Sequence, residues 1–175
     1  MNAVLKLRPT DPVDEPFLRS LRAQLDTERL GIQYWAPEQQ QLAQQILDLQ
    51  FRAHSRHYNH IKNVWETKDN IIELNGKPVG RFIVTGDRHE IRLCDIAIDR
   101  NYRGMGLGKV ILDMTKNECH QSKRPLRLHV DKLNSAFHFY INQGFRVIKD
   151  KETHYFMEWN PNIDNKTIYS FPNLR

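Results

Sequence analysis

Cysteine is scarce in this chain of 175 residues, with only Cys94 and Cys119 present. Two cysteines cannot staple a small disulfide scaffold, so both are read as reduced packing residues. No apolar run is long enough to span a bilayer, and Met1–Pro9 has neither the apolar centre nor the small-residue cleavage site of a signal peptide. The expectation is a cytoplasmic protein with no membrane partner, in which the sequon Asn165-Lys166-Thr167 carries no glycan. A basic run is also missing. The net charge is +5, but Lys and Arg are scattered, so a nucleic-acid partner is not expected. His54, His57 and His60 recur every three residues, yet no Cys or carboxylate completes a ligand set around them. No metal is therefore expected, and a solvated or acceptor-facing helix end is the reading.

What is present suits one ordinary globular domain. Hydrophobic residues make up 39% and charged residues 27%, and a chain of this length buries roughly 70% of its unfolded surface, enough for a sound core. The domain is placed at residues 1–160, with an Asn- and Pro-rich tail at 161–175.

Val4, Leu5 and Leu7 predict a strand closing at Pro9, after which Thr10 or Asp11 caps a helix with Phe17, Leu18, Leu21 and Leu25 on its inner face. Residues Asp26 to Ala36 look irregular. Pro37 opens a second helix to about Tyr58, striped by Leu42, Ile46, Leu49 and Ala53. Ile71–Leu74 and Val79–Val84 flank Asn75-Gly76, the strongest two-residue hairpin signal, with Lys77-Pro78 expected to lengthen the connection slightly. Further strands are predicted at Ile91–Ile98, Pro125–Val130, Phe145–Ile148 and His154–Trp159. Helices are predicted from Leu107 through Cys119 and over Asn134–Gln143, the latter stopped by Gly144. The order is β-α-α-β-β-β-α-β-α-β-β. Hairpins imply antiparallel pairs, and strand-helix-strand from Glu90 to Val130 implies one parallel neighbour. An α/β (α+β) fold follows, a mixed, mostly antiparallel twisted sheet with helices on both faces.

The chemistry concentrates where the strand Ile91–Ile98 passes through Arg103-Gly104-Met105-Gly106-Leu107-Gly108-Lys109 into a helix. Glycines let the main chain approach a ligand, and the unpaired N–H groups at a helix start favour a phosphate. A P-loop is excluded because Val110 follows Lys109. The dinucleotide fingerprint is excluded because, counting from Gly104, Lys109 stands where the third glycine belongs. What fits is Arg-x-x-Gly-x-Gly, met by Arg103, Gly106 and Gly108. Downstream, Asn134-Ser135-Ala136, Tyr140 and Gly144-Phe145 fit N-x-A-x-x-x-Y-x-x-x-G-F.

Together these segments resemble the GNAT superfamily of N-acetyltransferases, whose layout agrees with the predicted order of elements. The resemblance implies a GNAT-like sheet with a splayed parallel strand pair, acetyl-CoA as co-substrate, and transfer of its acetyl group to a primary amine by direct attack in a ternary complex. By position, Ile96, Ala97 and Ile98 would pair with the pantetheine and polarise the acetyl carbonyl. Arg103, Gly104, Met105, Gly106, Leu107, Gly108 and Lys109 would hold the pyrophosphate. Asn134 would bond the cofactor arm, and a plain helix cap is its other reading.

Tyr140 stands where the family places its general acid, and a phenol hydrogen-bonded to sulfur can protonate a departing thiolate. Its other reading is a core tyrosine. His129 stands where ribosomal-protein N-terminal acetyltransferases, which this region resembles, carry a catalytic Glu, so it is the candidate base. A structural histidine is the other reading, with Asp95 and Glu73 as substitutes for the base. Tyr34, Trp35, Tyr58 and Trp65 suggest an aromatic approach for the acceptor, which the sequence does not identify. Two rival readings are an acyl-CoA-binding sensor or scaffold without turnover, and an acetyltransferase acting on an RNA-borne or ribosomal amine. A homodimer is common in the family, and the residues leave assembly open.

Overall fold

The structure is a computed structural model that describes the backbone of residues 3–61 and 66–163, and the side chains among these outside 52–61. The side chains of His54, His57, His60, Ala53 and Tyr58, all of Trp65, and the tail from residue 164, with its sequon, lie outside the described residues.

Seven strands form one mixed sheet: β1 (Leu5–Pro9), β2 (Glu66–Leu74), β3 (Lys77–Gly86), β4 (Ile91–Ile98), β5 (Leu126–Asp131), β6 (Arg146–Asp150) and β7 (His154–Trp159). Their spatial order is β1-β2-β3-β4-β5-β7-β6. Among the described residues the α-helices are α1 (Glu15–Leu30), α2 (Pro37–Ile61), α3 (Leu107–Ser122) and α4 (Ala136–Asn142). The parallel pair expected around the central helix is β4 with β5, in register from Ile91↔Leu126 to Leu93↔Leu128. β4 itself runs on to Ile98 and β5 to Asp131.

Two compact units divide the chain, Met1–Thr85 with Asp95–Gly108, and Gly86–Cys94 with Lys109–Arg175. In the first unit β1 lies antiparallel to β2. The turn Asn75-Gly76 has φ of 52° and 78°, the left-handed pair that a tight hairpin needs. With β3 starting at Lys77, the hairpin is two residues long and is not lengthened by Pro78. Arg8 ties this unit together: its guanidinium donates to both oxygens of Asp14 at 2.7 and 2.6 Å and to Glu73 at 2.6 Å. That salt bridge draws the Asp14 carboxyl below its ordinary pKa. Asp11 is the cap at the start of the first helical turn, accepting the Val13 N–H.

The irregular stretch expected from Asp26 begins later, because α1 continues to Leu30. Buried Asp26 is held inside the helix by Arg22 at 2.7 Å and Arg29 at 3.2 Å, and left-handed Gly31 ends it. A second departure concerns α2. The stripe Leu42, Ile46, Leu49 faces outward, 59%, 47% and 67% exposed, while Ala43 and Leu47 pack with Ile32.

In the second unit β5 pairs antiparallel with β7, and β6 with β7 through an irregularity between Val147 and Lys149. Leu126, Leu128, Val130, Met157 and Trp159 are buried, as are Ile111, Leu112 and Cys119 of α3. Lys116 of α3 sits 5.7 Å from the Trp159 ring and donates to the Gln143 carbonyl at 2.7 Å. Gly144, at φ 81°, is the expected stop after α4.

Candidate active site

In the first unit, Gly80 of β3 explains how closely neighbouring main chains approach. A Cβ there would stand 2.3 Å from the Ala97 carbonyl oxygen and 2.9 Å from the Ile72 Cδ1. Ala97 is buried between the half-buried Ile96 and Ile98. Beyond β4, Asp99 caps a short turn by accepting the Asn101 N–H at 2.8 Å. The chain then reaches Gly104 and Gly106, which adopt φ of 76° and 79°. A Cβ at either would meet nothing within 4 Å. Crowding by the protein therefore does not require glycine here. The positive φ favours it, and the space above the main chain stays open.

Arg103 is turned back on its own unit, its Nε donating to the Ile98 carbonyl at 2.9 Å and its Nη1 to Glu28 at 2.7 Å. Its guanidinium braces the turn against β4 and α1, and the main-chain N–H groups of the turn remain the candidates for an anion. Lys109, at the start of α3, pairs with Asp113 at 2.6 Å.

Two substitute bases separate here. Glu73 is committed to Arg8. Asp95 is half-buried and its pKa is raised, chiefly by loss of hydration, against the opposing pull of Arg81 and Arg22. Tyr34 and Trp35 are exposed, at 85% and 43%.

In the second unit, His129 stacks on Phe156 at a centroid distance of 4.6 Å and meets His154 edge-on at 5.1 Å. Burial against these neighbours, then the charges of His154 and Arg92, push its pKa below the usual histidine value. A neutral imidazole at neutral pH can accept a proton. The Asn134 N–H bonds the Asp131 carbonyl, and its side-chain oxygen accepts the N–H of Ala136, the first residue of α4, at 2.9 Å. Its amide hydrogens and the second lone pair of that oxygen can still meet a ligand. Tyr140 is 7% exposed, with Phe145 edge-on at 5.6 Å.

Sequence reasoning missed one cluster of this unit. Glu90 accepts from Arg92 and from Arg127, the latter at 2.5 Å, and Arg127 also reaches Glu158 at 2.8 Å. Both arginines lie over the Phe156 ring, at 6.0 and 5.9 Å. The signal was the alternation Arg127-Leu-His129 facing Phe156-Met-Glu158, legible only once the register His129↔Phe156 is known. Among the described residues there is no group of three His, Cys, Asp or Glu that could hold a metal ion. No described helix is long and apolar enough to cross a membrane.

The profile of the acetyltransferase (GNAT) domain matches residues 37–158. No curated protein matches by sequence. Among solved structures, the PaiA N-acetyltransferase of Thermoplasma acidophilum in complex with coenzyme A is similar at a TM-score of 0.66 and 15% identity, over 90% of this chain and 99% of that one. An acetyltransferase from Thermus thermophilus gives 0.63 and 22%, over 90% and 97%. The ribosomal-protein-S18-alanine N-acetyltransferase from Escherichia coli gives 0.58 and 17%, over 95% and 100%.

Proposed function

This chain belongs to the GNAT acetyltransferase family, and from that premise we propose that it transfers the acetyl group of acetyl-CoA to a primary amine by direct attack within a ternary complex. The observation that carries the reading is the turn at Gly104 and Gly106, left-handed and open above its main chain, leading into the first N–H groups of α3. Such donors at the positive end of a helix dipole suit a diphosphate. The thioester supplies an electrophilic carbonyl carbon and a thiolate leaving group.

The chain's own residues do the rest. Main-chain groups of Ile96–Ile98 hold the pantetheine arm, and one N–H there faces the oxygen that gains charge as the amine nitrogen attacks. Arg103 to Lys109 hold the diphosphate, and Asn134 bonds the arm through its amide hydrogens. His129 accepts the proton that the amine must lose. Tyr140 gives its phenolic proton to sulfur as the C–S bond breaks. Asp95, with its raised pKa, is the carboxylate alternative to His129.

Thermal melting with acetyl-CoA tests the binding step: at a concentration of about 100 times Kd, stabilisation of about 2.7 kcal/mol is expected. Mass spectrometry of a panel of amines and peptides incubated with chain and cofactor tests transfer. Absence of any upward melting shift over a wide titration overturns the whole reading, whereas binding without an acetylated product leaves a CoA-binding module without turnover.

A further inference from the structure

We infer that the amine acetylated by this chain belongs to a small molecule that carries its own carboxylate, such as a free amino acid, and that Arg92 selects it by bonding that carboxylate. The inference rests on the acetyl-transfer reading above and on the second unit alone. There the helices lie on one side of the sheet: His120 and Lys116 of α3 meet Trp159, and Phe137 of α4 meets Tyr155. Alternation along β7 turns Phe156 and Glu158 to the other side. On that side the register lines up Arg92, Arg127, Glu158 and Arg146 across β4, β5, β7 and β6. Glu90, the residue before β4, bonds both Arg92 and Arg127. Three guanidiniums thus stand against two carboxylates, and the row begins and ends in a cation.

Exposure decides what this side shows to a ligand. The side chains of Arg92 and Arg127 are 38% and 32% exposed, and those of Glu90 and Glu158 only 10% and 9%. Solvent therefore meets guanidinium rather than carboxylate, which disfavours a polyamine and attracts an anion. Arg92 keeps capacity for one. Its Nη2 serves Glu90, while its Nε is buried with no hydrogen-bond partner among the described residues, a donor that the fold leaves over.

Placement selects the size of the acceptor. The Arg92 guanidinium lies 6.0 Å from the centre of the Phe156 ring, and His129 stacks on the same ring at 4.6 Å. Both groups border one aromatic ring, so a nitrogen at His129 and a carboxylate at Arg92 can belong to one small molecule. Along β5 the same side continues to Asp131, exposed and two residues beyond His129, roughly 6.6 Å further on. An incoming ammonium finds its counter-charge there before it loses a proton. Arg127, His129 and Asp131 thus set cation, imidazole and carboxylate in order along one strand, which matches a zwitterion lying along it. A peptide N-terminus has an amide where that carboxylate would be and gains nothing from Arg92.

Transfer is to be measured with matched pairs, each an amino acid and its carboxamide, at saturating acetyl-CoA. In the wild-type chain kcat/KM is expected to favour the acid roughly tenfold or more, the effect of a charge-assisted hydrogen bond. Arg92→Gln should bring that ratio close to one by raising KM for the acid, with Glu90 still held by Arg127 and the fold checked by the melting temperature. Equal rates on acid and amide, a preference for spermidine or for phosphoethanolamine, or a ratio that a folded Arg92→Gln leaves in place overturns the inference, and the wild-type comparison decides even where the variant does not fold. Calorimetric titration of the same pairs into the chain saturated with CoA, where no acetyl group can move, separates the two readings. Tighter binding of the acid with no product from any amine removes acetyl transfer and keeps the carboxylate site. Products without preference for the acid keep acetyl transfer and remove the site.

Discussion

The imidazole of His129 lies flat on the ring of Phe156, centroids 4.6 Å apart and planes 18° from parallel. The contact removes water from one face of a titratable ring while the other side stays open, which is how an accessible histidine comes to have a lowered pKa. Below the ordinary histidine value of about 6.5 the unfolded chain takes up a proton before the folded one does. The stability contributed by neutral His129 is therefore fully present above that value and lost as pH falls through the lowered folded one. Glu90 opposes the shift without cancelling it. His129→Gln should flatten the decline of melting temperature on acidification below about pH 6.5. An unaltered slope in melting curves would falsify this account of the ring.

Glu90 and Glu158, each 7% exposed, hold the guanidinium of Arg127 between them. Removing one carboxylate leaves a partly buried cation short of a partner. Glu90→Ala is expected to cost about 2–3 kcal/mol in chemical denaturation, below the full cost of breaking a buried pair because Arg127 keeps some contact with water. Arg127→Met in the same chain strands the buried Glu158 carboxylate, so the double variant is expected to be no more stable than Glu90→Ala, and a loss equal to the sum of the two single variants would mean that Glu90 and Arg127 are not coupled.

The two thiols should behave oppositely. Cys119 is fully buried and burial, with the Glu118 charge, pushes its pKa up to about 12, whereas Cys94 is exposed. Thiolate is the reactive form. A disulfide reagent is expected to titrate one thiol per native chain and two after denaturation. Two fast equivalents in the native protein would contradict the packing of α3.

Tyr140 is buried beside Phe145 at the end of a two-turn helix. If its hydroxyl protonates the departing sulfur, Tyr140→Phe should lower kcat by about 100-fold while leaving acetyl-CoA affinity nearly unchanged. The split between kcat and Kd separates an acid from a packing residue, which would change stability and binding instead. Unchanged turnover removes Tyr140 from the mechanism.

Local signals carried much of the fold. Asn75-Gly76 makes its turn because both residues tolerate positive φ, and the glycine turn sits between β4 and α3 as its strand-then-helix pattern predicts. Facts that depend on distant partners were not readable. The apolar stripe of α2 has the right period for a core, but which side of a helix is covered is decided by its neighbour, here Ile32 against Ala43 and Leu47. The arginine–glutamate–Phe156 cluster needs the register of β5 on β7, which no local pattern fixes. Gly80 looked like an ordinary residue of a hairpin strand, because the reason for it is a carbonyl on another strand.

Glycines 80 and 106 are both missing a side chain, but for different physical reasons, so alanine should distinguish them. At Gly80 the new Cβ would collide with the Ala97 carbonyl oxygen at 2.3 Å, and that oxygen belongs to main chain that cannot rotate away. Gly80→Ala is expected to cost about 1–3 kcal/mol as overpacking forces the backbone apart, and to weaken acetyl-CoA binding if Ile96–Ile98 hold the pantetheine. At Gly106 a Cβ meets nothing, so the cost is that of holding alanine at φ 79°, about 1–2 kcal/mol. Gly106→Ala should therefore melt only a few degrees lower, yet, if the turn holds the diphosphate as proposed, lose acetyl-CoA affinity, because the methyl group would take up space above the turn. Calorimetric titration of both variants checks the pair. Equal affinity of Gly106→Ala and the parent chain for acetyl-CoA would show that the turn is only a connection between strand and helix.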